Sequence, residues 1–203
     1  MRTFIITIVL LTTFSIGAVE SDPSNIVGFV RYECSTGKNL IALPLESNYT
    51  TPQDIYDDYP EISDIKAWDS TNQDWITASA LETGKAYLVN CSSAIDFFCA
   101  GDLVDTSSQN LETTSNTNLN LVIIPLERDD LTTASQLADD IAVCNSVSKW
   151  VREQQSWVTA TKINSTWQDD YNVEVADVLL INVTDDVVWP ARNQETKSEI
   201  QSK

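Results

Sequence analysis

The chain has no histidine, one methionine and only five glycines in 203 residues. Without histidine it lacks the commonest general base, the usual triad partner and the commonest zinc ligand. Enzyme chemistry is thereby reduced to what carboxylates and cysteines supply. Basic residues are scarce as well: 12 Lys and Arg stand against 30 Asp and Glu, a formal net charge of −18. Nucleic acids and anionic lipids are bound by Lys and Arg neutralising phosphates, so neither is an expected partner. The same charge favours solubility and attracts cations. Long apolar runs are missing too. Phe4–Phe14 is mostly apolar, but it is shorter than the roughly 20 residues of a membrane span. Preceded by Arg2 and followed by the small residues Ser15, Gly17 and Ala18, it reads as an export signal over residues 1–18. The expected product is secreted, extracellular or at the cell surface, with no membrane span once the signal is removed. It reads as an ordered, Thr/Asn/Asp-rich module rather than a disordered acidic tail.

What is present is organised around a stretch that occurs twice. Ala67–Ala78, AWDSTNQDWITA, is echoed by Lys149–Ala160, KWVREQQSWVTA. Each sets two tryptophans around a short polar turn. The flanks repeat in the same order. Asn39–Leu45 matches Asn120–Leu126; Tyr49–Tyr59 matches Leu131–Ile141; Ala86–Ser92 matches Val178–Thr184. Val, Ile, Leu and Tyr in the first and last of these favour strands. Thr50–Thr51–Pro52 and Thr132–Thr133 read as helix starts, with Ile55/Tyr59 and Leu137/Ile141 as apolar pairs four residues apart. The alignment slips near Asn164–Val173, NSTWQDDYNV, which reads as an inserted surface loop. The expectation is a β-rich α+β chain with two tandem repeats, 25–104 and 105–192. Each is a mainly antiparallel sheet or small barrel with one short helix in the order ββαββββ. The polar stretch 105–118 is the joint, and 193–203 is a polar tail.

The ordered motifs N-L-I-x-L-P-L, T-T-x-x-x-L/I, W-x-x-x-x-Q-x-W and L-V/I-N-x-T/S resemble a repeat of secreted surface proteins of bacteria and archaea. The match covers most of both units. The resemblance implies an extracellular module, sometimes near adhesion-type domains, and carries no catalytic residue or ligand. The second unit departs from it in lacking a glycine at the Gly37 position and in carrying the insertion.

The four cysteines, Cys34, Cys91, Cys99 and Cys144, admit three pairings. Oxidation is expected after export. Cys91 and Cys99 are replaced together in the second unit, by Val183 and Ala191, which favours a Cys91–Cys99 bridge; Cys34 aligns with Ser115 and Cys144 with Ile62, which leaves Cys34–Cys144 as a bond between units. No C-x-x-C occurs, so a metal site is not expected. Acidic doublets at Asp57–Asp58, Asp129–Asp130, Asp139–Asp140, Asp169–Asp170 and Asp185–Asp186 read as a solvated face at helix ends and turns. A carboxylate-dependent hydrolase ranks last among the readings. There is no D-x-D-x-D-G loop; any calcium binding would be weak and use scattered side chains, and no other cofactor is implied. Asn48, Asn90, Asn164 and Asn182 head N-x-S/T triplets, which arise easily in so Thr/Asn-rich a chain.

A turn centred between Thr71 and Asn72 pairs Trp68 with Trp75, and one at Glu153/Gln154 pairs Trp150 with Trp157. Alternation puts all four on the more polar side of their hairpins, away from Ile65, Ala67 and Ala78 or Val147, Val158 and Ala160. Two readings follow. Either a helix, a loop or the other unit covers them, since tryptophan is usually buried, or they form an aromatic platform for a surface glycan or an extracellular protein. The leading expectation is a non-enzymatic cell-surface or adhesion-type structural module. The alternative is a carbohydrate-binding module using Trp68, Trp75, Trp150 and Trp157.

Overall fold

The computed structural model describes residues 28–103, 108–114 and 117–190. The export signal, part of the joint and the tail expected from the sequence lie outside the described residues. The first half runs β1 (Gly28–Cys34), β2 (Gly37–Ala42), β3 (Leu45–Glu46), α1 (Pro52–Asp58), β4 (Ile62–Asp69), β5 (Asp74–Thr77), β6 (Ala86–Cys91) and β7 (Ile95–Leu103). The second runs β8 (Gln109–Leu111), β9 (Leu119–Ile123), α2 (Ala134–Ile141), β10 (Cys144–Val151), β11 (Ser156–Ile163), β12 (Thr166–Gln168), β13 (Val178–Val183) and β14 (Val187–Trp189). The fold is β-rich, with two short helices.

All the strand pairs are antiparallel, and none of the sheets closes into a barrel. One central sheet has the order β2-β6-β4-β5, and the other β9-β13-β10-β11-β12. Smaller sheets, β1-β7-β3 and β14-β8, accompany them. The expected insertion is only partly a loop. It folds back as β12 onto the end of β11, with Lys162 opposite Trp167, and Asn172 bridges to Thr133.

The helices begin where hydroxyl caps predict. The Asp54 carboxylate accepts the Thr50 and Thr51 N–H groups at 2.9 and 2.7 Å. Gln136 Oε1 does the same for Thr132 and Thr133 at 2.9 and 3.2 Å. Each helix lays its apolar residues on one core: Ile55 joins Ile41, Leu43, Ile65, Val89 and Phe97, while Leu137 and Ile141 join Val122, Val147, Leu179, Ile181 and Trp189. A third, smaller cluster of Ala42, Ala86, Ile123 and Val178 lies between the halves. Strands β2, β6, β9 and β13 thus bury residues on both faces, which explains their near-continuous apolar runs.

Several positions of the two halves correspond. Asn39 and Asn120 are both buried. Asn39 Oδ1 accepts Ser35 N–H at 2.8 Å, and its amide donates to the carbonyls of Ser35 and Gly37. Asn120 bonds Glu112 and Asn118 identically. Gly37 and Asn118 occupy the same place, both with positive φ (98° and 53°). Asparagine tolerates that region, which answers the missing glycine.

The cysteine expectation needs correcting. All four cysteines are buried free thiols. Cys34, Cys91 and Cys99 sit in the first core and Cys144 in the second, so Cys34 and Cys144 belong to separate bodies of packing. Neither Cys34–Cys144 nor Cys91–Cys99 is bonded. The alignment also misplaced the counterpart of Cys34. Cys34 faces Ile95 across β1–β7 as Leu111 faces Val187 across β8–β14, so Leu111, not Ser115, holds that place. A longer connection between β8 and β9 than between β1 and β2 concealed the shift.

One ion cluster in the second half is nearly dry. Arg128, with 5% of its side chain exposed, makes paired bonds to Asp140 (both 2.8 Å) and to Asp130 (2.9 and 3.0 Å). Trp189 Nε1 donates to the same Asp140 at 2.7 Å. The Arg128 guanidinium holds the Asp140 carboxyl below its usual range, against the opposing effect of burial. We expect Arg128→Ala to cost about 2–3 kcal/mol in urea unfolding, less than for a fully buried pair because both carboxylates keep some solvent. A carboxyl whose folded pKa is depressed stabilises fully above its unfolded value, here 3.8, and loses that contribution as pH falls through the folded value. Unfolding free energy measured against pH should therefore drop below about pH 4 in the native chain, and less steeply in Arg128→Ala.

Candidate functional site

The two tryptophan hairpins have the register expected from their spacing. Trp68 is opposite Trp75 and Trp150 opposite Trp157. Each pair packs edge to face, with centroids 5.2 and 5.3 Å apart and planes at 68° and 70°, the arrangement ring quadrupoles favour. The turn of the first hairpin is built by Asp69, whose carboxylate accepts Thr71 and Asn72 N–H at 3.0 Å each. Those donors lower its pKa. Each turn ends on a glutamine with positive φ, Gln73 at 57° and Gln155 at 50°.

Those glutamines do what the sequence reading missed. Gln155 reaches the first half: its Oε1 accepts Lys38 N–H at 2.7 Å and its Nε2 donates to Lys38 C=O at 2.9 Å. Trp150 Nε1 donates to the same carbonyl at 2.8 Å. Gln73 reaches the second half with the same pattern. It accepts Leu119 N–H at 2.8 Å and donates to Leu119 C=O at 3.0 Å, and Trp68 Nε1 adds a bond of 3.1 Å to that carbonyl. Each side-chain amide imitates a neighbouring peptide, pairing Lys38, the second residue of β2, and Leu119, the first of β9. Gly37 makes room for this, since a Cβ there would lie 2.6 Å from Gln155 Oε1. The signal was in the sequence as the glutamine shared by both W-x-x-x-x-Q-x-W motifs, but nothing in a single motif names its distant partner.

The candidate tryptophans therefore divide. Trp68 and Trp150 are tied to the opposite half by their indole N–H groups. Trp75 is half-buried, and Trp157 is 37% exposed. Beside Trp150 opens a cleft of about 430 Å³ between the halves. Its charged groups are ion-paired, one pair of them across it. Lys149 Nζ lies 2.6 Å from Asp177, and Arg152 lies 2.8 Å from Glu33, which also pairs with Arg31. Tyr32 O–H donates to Ala176 C=O at 3.1 Å from beneath, and burial pushes its phenol well above the ordinary range. The matching places in the first half carry Ala67 for Lys149, Ser70 for Arg152 and Lys85 for Asp177. The ion-paired cleft is thus a feature of one side, and sequence spacing gave no sign of it.

The acidic doublets serve local structure. Asp58 accepts from Tyr49 and Asp57 from Gln53. Asp139 is bound by Lys162 and Trp167, which depress its pKa. Asp170 accepts from Ser135 and Asp186 from Thr113. Among the described residues no group of three or more Cys, Asp or Glu is placed to hold a metal ion, and no helix is long and apolar enough to cross a membrane.

Replacing Gln73 by Ala should cost about 1–2 kcal/mol, because its bonds to Leu119 are partly buried, as for backbone groups left unpaired away from water. Gln155→Ala should cost less, about 0.5–1 kcal/mol, since Lys38 can turn to solvent there. Paired chemical denaturation curves check the order. No known protein family, curated protein or solved structure matches the chain, so the resemblance to secreted surface repeats rests on motif order alone.

Proposed function

We propose that the chain is a secreted, non-enzymatic structural module of the cell surface, of adhesion type, built from two copies of one unit. The observation that carries this reading is the reciprocal glutamine–tryptophan latch. The most distinctive repeated motif is spent on fixing one half against the other, which suits a rigid spacer or display element. The export signal read over residues 1–18, the acidic surface and the use of carboxylates as caps and turn formers support it.

A second reading, carbohydrate binding, is favoured by the exposure of Trp157 and by the polar cleft beside Trp150. Ion-paired carboxylates and guanidiniums offer fixed donors and acceptors for hydroxyl groups, and an aromatic face suits a sugar ring. A glycan array separates the two. The structural reading expects no glycan signal from the native chain. A signal abolished by Trp157→Ala, with the unfolding midpoint of that variant near native, would replace it with the binding reading. Release of reducing sugar from any array polysaccharide, lost on a single Asp→Asn change, would overturn both.

A further inference from the structure

Two thiols are brought together by the path of the chain. Cys34 is the last residue of β1 before the corner into β2, and Cys91 is the last residue of β6 before the corner into β7. The corners lie side by side. Cys91 faces Gly37, three residues past Cys34, and Cys34 faces Ile95, four residues past Cys91. Both cysteines pack in the first core, and the Cys34 S–H points to Tyr32 C=O at 3.8 Å. In the second half the corresponding corners carry Leu111 and Val183, both buried in the second core. At this pair of places the halves hold two cysteines or two apolar residues.

The pair also has a route to solvent. Cys34 lines an open groove of about 400 Å³ with Ser35, Ala94, Ile95 and Asp96, and Arg152 of the other half borders it. Cys99 and Cys144 line none of the grooves described above. Burial pushes both of their thiols up, Cys144 to about 12. Cys34 and Cys91 shift in opposite directions, Cys91 lowered by its neighbour Cys34 and Cys34 raised by Cys91 and by burial, and exchange proceeds through a thiolate of such a pair.

We propose that Cys34 and Cys91 are a redox pair that closes into a disulfide tying β1 to β6, by exchange with a small disulfide admitted through the groove. One sulfur of the pair attacks the small disulfide and expels a thiolate. The second then attacks the mixed disulfide at the cysteine sulfur and expels the other thiolate. The two cysteines together lose two electrons and two protons, and the small disulfide departs as two thiols. The pairing replaces both bridges expected from the sequence, and it stands whether the chain displays, spaces or binds.

The test is thiol trapping on the full folded chain equilibrated with oxidised and reduced glutathione, followed by non-reducing peptide mapping. The expected product is one linked pair of peptides joining Cys34 to Cys91, with Cys99 and Cys144 alkylated only after unfolding. Cys91→Val places there the residue that Val183 supplies in the second half. It should abolish the linked peptide and leave a glutathione adduct on Cys34. Either Cys34 and Cys91 both remaining alkylatable after oxidation, or a link containing Cys99 or Cys144, would overturn the proposal.

Discussion

The arrangement of the two halves depends on a side-chain amide standing in for a peptide. β2 and β9 each lie at an outer edge of a central sheet, and such an edge presents unpaired N–H and C=O groups. Here a residue at the start of each edge, Lys38 or Leu119, has both groups taken by a glutamine from the opposite half. The net energy of these bonds is modest, because water would satisfy the same groups. Their effect is directional. The apolar seam of Ala42, Ala86, Ile123 and Val178 is small and smooth and could slide. Two bidentate latches, one on each side, fix how the halves face one another.

That frame is nearly symmetric, and the chemistry laid on it is not. The same corner holds two thiols in one half and Leu111 with Val183 in the other. The same hairpin position is Lys149 on one side and Ala67 on the other. β12 extends only the second central sheet. The ion-paired cleft and the thiol-lined groove share Arg152 and Glu33, so the two asymmetric features are neighbours. These departures converge on ion pairs and a dithiol.

Much of the frame was legible because it follows local rules. Alternation and turn length gave both tryptophan pairs and their register. Hydroxyl caps gave both helix starts. What failed was non-local. β8 and β14 are three residues each, too short for alternation to declare, and their pairing is what reveals Leu111 as the partner of Cys34 in place. Spacing alone could not show that a glutamine in one hairpin reads the backbone of a strand in the other half. The acidic doublets were correctly seen as surface features, but their work in capping and pairing depended on neighbours distant in the chain, such as Ser135 for Asp170.

The scarcity of glycine, the first compositional oddity, has a structural counterpart. Among the described residues, eight other than glycine adopt positive φ, a region that costs such residues roughly 1–2 kcal/mol each, with asparagine and aspartate the usual visitors. At Gln73 and Gln155 the conformation swings the amide onto the opposite half, and a glycine would forfeit the latch. At Asn118 it completes the loop that Asn120 closes, as Gly37 does for Asn39. At Ala176, where the first half has Gly84, no side-chain function offsets the strain. The backbone does: its N–H donates to Ile124 C=O at 2.8 Å and its carbonyl accepts Tyr32 O–H. At Gln73, Gln155 and Ala176 the left-handed turn is therefore held by a bond to the other half, which ties local strain there to the seating of the two halves.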